Sequence, residues 1–260
     1  MMSPSSLTLL SDDLGLRTAN NLKRPLASAE SANIGKGTGQ IQSRQVRLAH
    51  RWILSGDSGI SESLVREFIR PAVRAVPSSM AQRLGPCRIS LLAQAEADVT
   101  SQWTTTPSAL EVSVTTSELE EHDIAMELLV CLGQALWERL SVAELRAYWT
   151  ILWDEINLGI EGEIDEQALD KKRSLFESRS HAKSAHHLQS YGCASFAGTA
   201  AEYVHCLWHD VSIRSGANYL PAEPFRRRLE LMARWFPPDR GHRLFPPARR
   251  HTGRPPSPLG

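Results

Sequence analysis

Between Ser117 and Glu138 the chain reads SELEEHDIAMELLVCLGQALWE, and no other stretch restricts its fold so tightly. Ile124, Leu128, Leu132 and Leu136 recur every four residues, with Ala125, Leu129 and Ala135 beside them, so a helix here carries one broad apolar face. Such a helix is expected to be a central, mostly buried element. Its start is also marked. Ser117 with Glu120 three residues on forms a capping box, which satisfies two orphan amides. Glu118, Glu120 and Glu121 crowd the first turn, where the helix dipole favours negative charge.

A buried helix needs covering partners, and the chain is long enough to supply them. Its 260 residues are 42% hydrophobic, sufficient for one large domain or two small ones. Lys plus Arg and Asp plus Glu both number 29, so the net charge is zero and there is no global electrostatic case for nucleic acid or a membrane surface as partner. Cys87, Cys131, Cys193 and Cys206 show no CxxC pairing and read as reduced, buried thiols of a cytoplasmic protein. Asp12 and Asp13 cut off the apolar run Leu7 to Leu10, so no signal peptide is expected, and no run approaches the length of a membrane span.

Within the central stretch, Val130-Cys131-Leu132-Gly133-Gln134-Ala135-Leu136-Trp137 resembles the zincin phrase H-E-L-G-H-A-L-W with its polar letters replaced. In an active zincin two His at i and i+4 bind zinc, and the Glu beside the first activates the zinc-bound water. The first His position is here Val130, the Glu position Cys131 and the second His position Gln134. Val cannot ligate zinc, and Cys does not replace a carboxylate base. A second segment, Ser190-Tyr191-Gly192 through Ala201-Glu202-Tyr203, is similar to the S-Y-G…E-F-F-A-E-A-F segment of the anthrax lethal factor-like peptidase domain. There the Tyr stabilises the oxyanion and the first Glu is the third zinc ligand. Aligned without a gap, Tyr191 takes the Tyr position, Glu202 that of the second Glu, and Gly198 that of the zinc-binding Glu. The resemblance implies a zincin-like frame over residues 75–238 whose site is vestigial at Val130, Cys131, Gln134, Tyr191 and Gly198.

The rest of the chain fits an α+β, helix-rich fold. Residues 1–43, rich in Ser, Asn, Gly and Ala, read as a disordered leader, with Gly35-Lys36-Gly37-Thr38-Gly39 lacking the full phosphate-loop pattern. Residues 44–74 read as a helical extension: an apolar patch Val46, Leu48, Trp52, Ile53, Leu54, then a helix from Ser61 to Arg74 kinked or ended at Pro71. Arg88 to Ala93, Thr100 to Thr106 and Ala109 to Thr115 read as strands, the last with Leu110, Val112 and Val114 on one face. A small sheet leading directly into the capped helix is what the resemblance asks for, and an edge strand of that sheet holds extended substrate in active relatives. Ser141 and Glu144 form a further capping box, and helices follow to Leu158, from Ile164 to Arg179, from Phe196 to His209 and from Pro221 to Trp235. His181, His186 and His187 fall in a loop before Ser190. Residues 239–260, with five Arg against Asp239, read as a disordered Pro/Arg-rich tail.

One polar group stands out. Glu202, His205 and His209 share a helix face at i, i+3 and i+7, and the two His have the i, i+4 spacing of zinc-binding imidazoles, with Asp210 adjacent. A structural acid with two His near a helix C-terminus fits the same letters. Three functions stay open. The first is an inactive zincin-like pseudo-metallopeptidase that binds a peptide or protein partner in the old cleft, without a cofactor. The second is a metal-dependent hydrolase with zinc relocated to Glu202, His205 and His209. The third is a helix-rich structural protein unrelated to peptidases.

Overall fold

The computed structural model describes residues 45–56, 60–94, 100–177, 181–209 and 216–244, with the side chains of 181–184 left aside. The chain is α+β and helix-rich, with one five-stranded mixed sheet. The strands are β1 (Val46–Arg47), β2 (Ile53–Gly56), β3 (Cys87–Leu92), β4 (Ser101–Thr105) and β5 (Leu110–Thr115), in the order β1-β2-β3-β5-β4. β2, β3 and β5 run parallel, whereas β1 and β4 run antiparallel to their neighbours at the two edges.

Strand alternation explains which face is covered. Cys87, Ile89 and Leu91 of β3 pair with Leu110, Val112 and Val114 of β5, and all six are buried. Arg88, Ser90, Glu111 and Ser113 alternate with them on the opposite, more polar face. A π-helical stretch Leu64–Ile69 continues into α1 (Arg70–Ala75), with Pro71 in its first turn, where a missing N–H costs little. Then come α2 (Ser78–Leu84), α3 (Glu121–Trp137), α4 (Val142–Asn157), α5 (Glu166–Glu177), α6 (His181–Trp208) and α7 (Ala222–Trp235).

The central helix is α3, which packs on β4 and β5 with Ile124, Leu128, Leu132 and Leu136 all buried. Against it lies α6, whose 28 residues extend about 42 Å. The two run antiparallel, and their backbones approach closely at Gly133, where a Cβ would lie 2.8 Å from both Cα and O of Ala197. The α4 start is as the sequence predicts: the Ser141 Oγ accepts from the Glu144 amide at 3.3 Å, and the Ser141 amide donates to Glu144 Oε2 at 2.8 Å. On α7, Leu229 and Met232 are buried on the expected face.

Several expectations are corrected. Ser117 caps nothing. Glu118 adopts φ 65°, which breaks the helical run, so the central helix begins at Glu121 with Glu120 as its N-cap and no side-chain cap. The 44–74 segment is not wholly helical: Ile53 to Gly56 pair with Arg88 to Leu91 and add strands to the same sheet. A short apolar run such as Trp52–Leu54 is ambiguous by periodicity, and Trp52 settles as a buried side chain whose indole N–H donates to the Gly85 carbonyl at 3.1 Å. His181, His186 and His187 lie on α6 rather than in a loop, so Tyr191 and Gly192 are also helical. At the C-terminal end Asp239 belongs to the fold, since Oδ2 accepts from the amide and hydroxyl of Ser78 at 3.0 and 2.8 Å. The 1–43 leader, Asp210 and the tail from residue 245 lie outside the described residues.

Candidate functional site

The five positions singled out by the zincin resemblance have different neighbours. On α3, Gln134 Oε1 accepts the indole N–H of Trp103 from β4 at 3.0 Å. One turn earlier Val130 is partly buried and carries no ligating atom. The Cys131 thiol is buried, and burial pushes it up to about 11, so it is a poor proton acceptor near neutrality. Gly198 on α6 abuts Asp165 and Ile164, and a side chain there would strike the Asp165 carboxylate. Tyr191 donates to Glu163 Oε1 at 2.5 Å and is fully buried.

That last contact opens onto an ionic network that the sequence reading missed. Arg228 of α7 is fully buried. Its guanidinium donates from Nη1 and Nη2 to the Glu163 carboxylate at 2.8 and 2.9 Å, and from Nε and Nη2 to Glu155 of α4. Nη1 also donates to Ser195 Oγ at 2.7 Å, and Ser195 meets the Tyr148 hydroxyl at 3.1 Å. Lys172 completes the set, with Nζ 3.7 Å from Glu163 Oε1 and bonded to the carbonyls of Ile160 and Gly162 at 2.8 and 3.1 Å. Two cations face two carboxylates, and all four side chains are buried. Burial raises the Glu163 carboxyl, but the charge and hydrogen bonds of Arg228, with help from Tyr191 and Lys172, win and hold it down at about 2. Burial lowers the Lys172 ammonium against the pull of Glu163. Burial and the neighbouring Glu163 charge drive the Tyr191 phenol far up, so Tyr191 stays a neutral donor. The helix positions 225, 228, 229 and 232 share one face, so the i, i+3, i+4, i+7 pattern was the available signal that Arg228 points inward.

Beside the network sits Asp165, which caps α5 by accepting the Ala168 amide at 2.7 Å. Burial raises its carboxyl to about 6 despite that bond, and the charges of Glu163 and Glu202 add to the rise.

The C-terminal cluster forms in part as expected and gains a member. His205 of α6 is buried, and its Nδ1 lies 3.1 Å from Glu202 Oε2. Its Nε2 lies 3.0 Å from Nε2 of His122, which projects from the first turn of α3. Glu202 is thereby linked to the central helix through His205 and His122. His209 follows the helix end, with its ring 5.6 Å from that of His205 and 6.2 Å from that of His122. Among the described residues, no three His, Cys, Asp or Glu side chains are arranged as they stand to hold a metal ion. His186 and His187 sit together on the first turns of α6, far along the helix from this group. His122 had no sequence signal, because its partner is 83 residues away.

No family model, curated protein or solved structure matches the chain in comparisons with known proteins. Among the described residues no helix is long and apolar enough to cross a membrane.

Proposed function

We propose that the protein is a non-hydrolytic peptide- or protein-binding module, a pseudo-metallopeptidase on a zincin-like frame, which takes an extended partner segment along β4. The observation that carries this reading is the placement of β4. It is the outer strand of the sheet among the described residues, and it is pinned to the central helix from below. Ser101 Oγ donates to Glu127 Oε2 at 2.7 Å, and Trp103 donates to Gln134 at 3.0 Å. Gln102 and Thr104 alternate outward between and beyond them. A rigid edge strand offers a row of backbone donors and acceptors to an added strand, and its outward side chains select the partner.

The same residues argue against hydrolysis along this edge. Val130 has no donor for a metal, Cys131 has no carboxylate, the Gln134 amide is engaged with Trp103, and Asp165 fills the space beside Gly198. The four cysteines stand apart as free thiols, which suits a cytoplasmic setting.

The test pairs binding with cleavage on the full chain. A library of extended peptides is screened by amide chemical shifts of β4, and the same library is incubated with the protein with and without zinc. Binders should shift Gln102 to Thr105, lose affinity in Trp103→Ala, and remain uncut. Cleavage of library members by the native chain would overturn the inactive reading, and a library that leaves the β4 amides unmoved would sink the binding one.

A further inference from the structure

Imidazole pairs that share a helix interface are usually joined by one proton, but the pair at the α3–α6 contact has a carboxylate on the far side of each ring. His205 Nδ1 is 3.1 Å from Glu202, and His122 Nδ1 is 3.5 Å from Asp123. A carboxylate only accepts, so each one favours the proton on the Nδ1 that it faces. With both Nδ1 atoms protonated, both neutral rings turn a bare Nε2 lone pair toward the other across 3.0 Å. Two lone pairs at that distance repel each other unless one cation sits against both, either a shared proton or a metal ion.

We propose that His122 and His205 form a site for a late divalent transition-metal ion, held by the two Nε2 atoms. Carboxylate, imidazole and metal in line is the arrangement by which outer carboxylates fix the tautomer and raise the basicity of a ligating histidine. Glu202 thus orients a ligand rather than being one, which reverses its place in the Glu202–His205–His209 set. The spacing also selects among ions. With metal–nitrogen bonds of about 2.0–2.1 Å, a 3.0 Å separation subtends about 94° at the metal. That is close to the cis angle of square-planar or octahedral coordination, and a tetrahedral ion needs a separation of about 3.3 Å. Copper(II) and nickel(II) therefore fit as the rings stand, and zinc fits after the rings part by a few tenths of an ångström.

Access is provided, since the His122 side chain is 33% exposed while that of His205 is 10% exposed. His122 is the more exposed member of the pair, and water can complete the ion's shell from its side. The site lies at the first turn of α3, away from Gln134 and the edge strand, so it stands independently of peptide binding.

The experiment uses the untagged full chain, stripped with chelator and titrated with copper(II), nickel(II) and zinc salts by equilibrium dialysis with elemental analysis. One ion per chain is expected, with copper tightest in keeping with the general affinity order. His122→Gln and His205→Gln should each weaken binding at least about tenfold, and Glu202→Gln by about tenfold, the usual cost of losing an outer-sphere partner. His186→Gln should change nothing. Nitrogen-15 NMR of the native chain gives a readout that needs no variant: nickel or zinc should move the Nε2 resonances of His122 and His205. No ion bound below about 100 μM, binding that survives both His variants, or Nε2 resonances that report a shared proton and stay put on adding metal would each overturn the proposal.

Discussion

Polar side chains tie the long helix α6 to its neighbours at two places, and the two are built on opposite rules. Around Arg228, two cations and two carboxylates are sealed from solvent, and every strong donor has an acceptor within hydrogen-bond range. At His122 and His205, a partly exposed ring and a buried one face each other with like atoms. Burying charge is costly unless pairing is complete, so the first arrangement survives only as a closed set. The second is open to water and leaves room for something to be added. Closure marks a device that fixes which helices meet. Openness marks a place where chemistry with a solute can occur.

The largest effect that separates them is expected from Arg228→Ala. It strips Glu155 and Glu163 of their shared cation and leaves two buried carboxylates beside Lys172 alone. A loss of about 3–5 kcal/mol is expected on denaturant unfolding, a large fraction of the roughly 5–15 kcal/mol that holds a typical domain. A loss under about 1 kcal/mol would mean that the network admits water and that the contrast fails. Next in size is Gly133→Ala, which tests the packing that brings both clusters to α6. Its methyl would meet the Ala197 backbone at 2.8 Å, forcing α3 and α6 apart at a cost of about 1–3 kcal/mol. The same displacement should separate His122 from His205, so metal uptake and stability should fall together.

What was legible in the sequence was local. The Ser141–Glu144 capping box and the Leu110, Val112, Val114 alternation depend on residues a few positions apart, and both stand in the structure. The apolar face of α3 was legible for the same reason, but not its first residue. Ser117 and Glu120 have the letters of a capping box, and the positive φ at Glu118 that voids it comes from the turn out of β5. The β1–β2 segment was misread because strands of two and four residues are too short to display a period. In the candidate sites, the spacing of Glu202 and His205 predicted their contact. Arg228 sits on the apolar stripe of Phe225, Leu229 and Met232, and a single charged letter there does not show which buried carboxylates it meets. His122 could not be found, since nothing local distinguishes an imidazole that meets another helix.

Asp165 lies between the two regions and reports on pH. Its carboxyl is raised to about 6 in the folded chain by burial and by Glu163 and Glu202, above its unfolded value near 3.8. A raised acid stabilises the fold fully below the unfolded value, and that contribution is lost as pH rises through about 6. Asp165→Asn keeps the Oδ1 that caps Ala168 and removes the charge. It should leave stability at pH 4 nearly unchanged and add about 1 kcal/mol at pH 7.5, after allowing for partial exposure. Glu163 has the opposite sign. Its depressed carboxyl supports the fold above the ordinary carboxylate range, and that support drains away as pH falls toward about 2. Thermal unfolding of the native chain and of Asp165→Asn from pH 3 to 8 separates the two groups, because only the neutral-pH gain depends on Asp165.

The smallest effect draws the sharpest line. His122→Gln removes one ring of the imidazole pair but leaves the apolar face of α3, starting at Ile124, intact. In metal-free buffer it should cost no more than about 0.5 kcal/mol, as for other substitutions at half-exposed positions. If two neutral rings repel there, it should even stabilise slightly. With copper(II) or nickel(II) added, the native chain should gain stability by mass action while the variant should not. A loss above about 1.5 kcal/mol without metal would instead make the pair a structural clasp, equivalent in kind to the Arg228 network. A near-neutral change that becomes large only when metal is present would mean that the fold keeps this contact for the ion and not for itself.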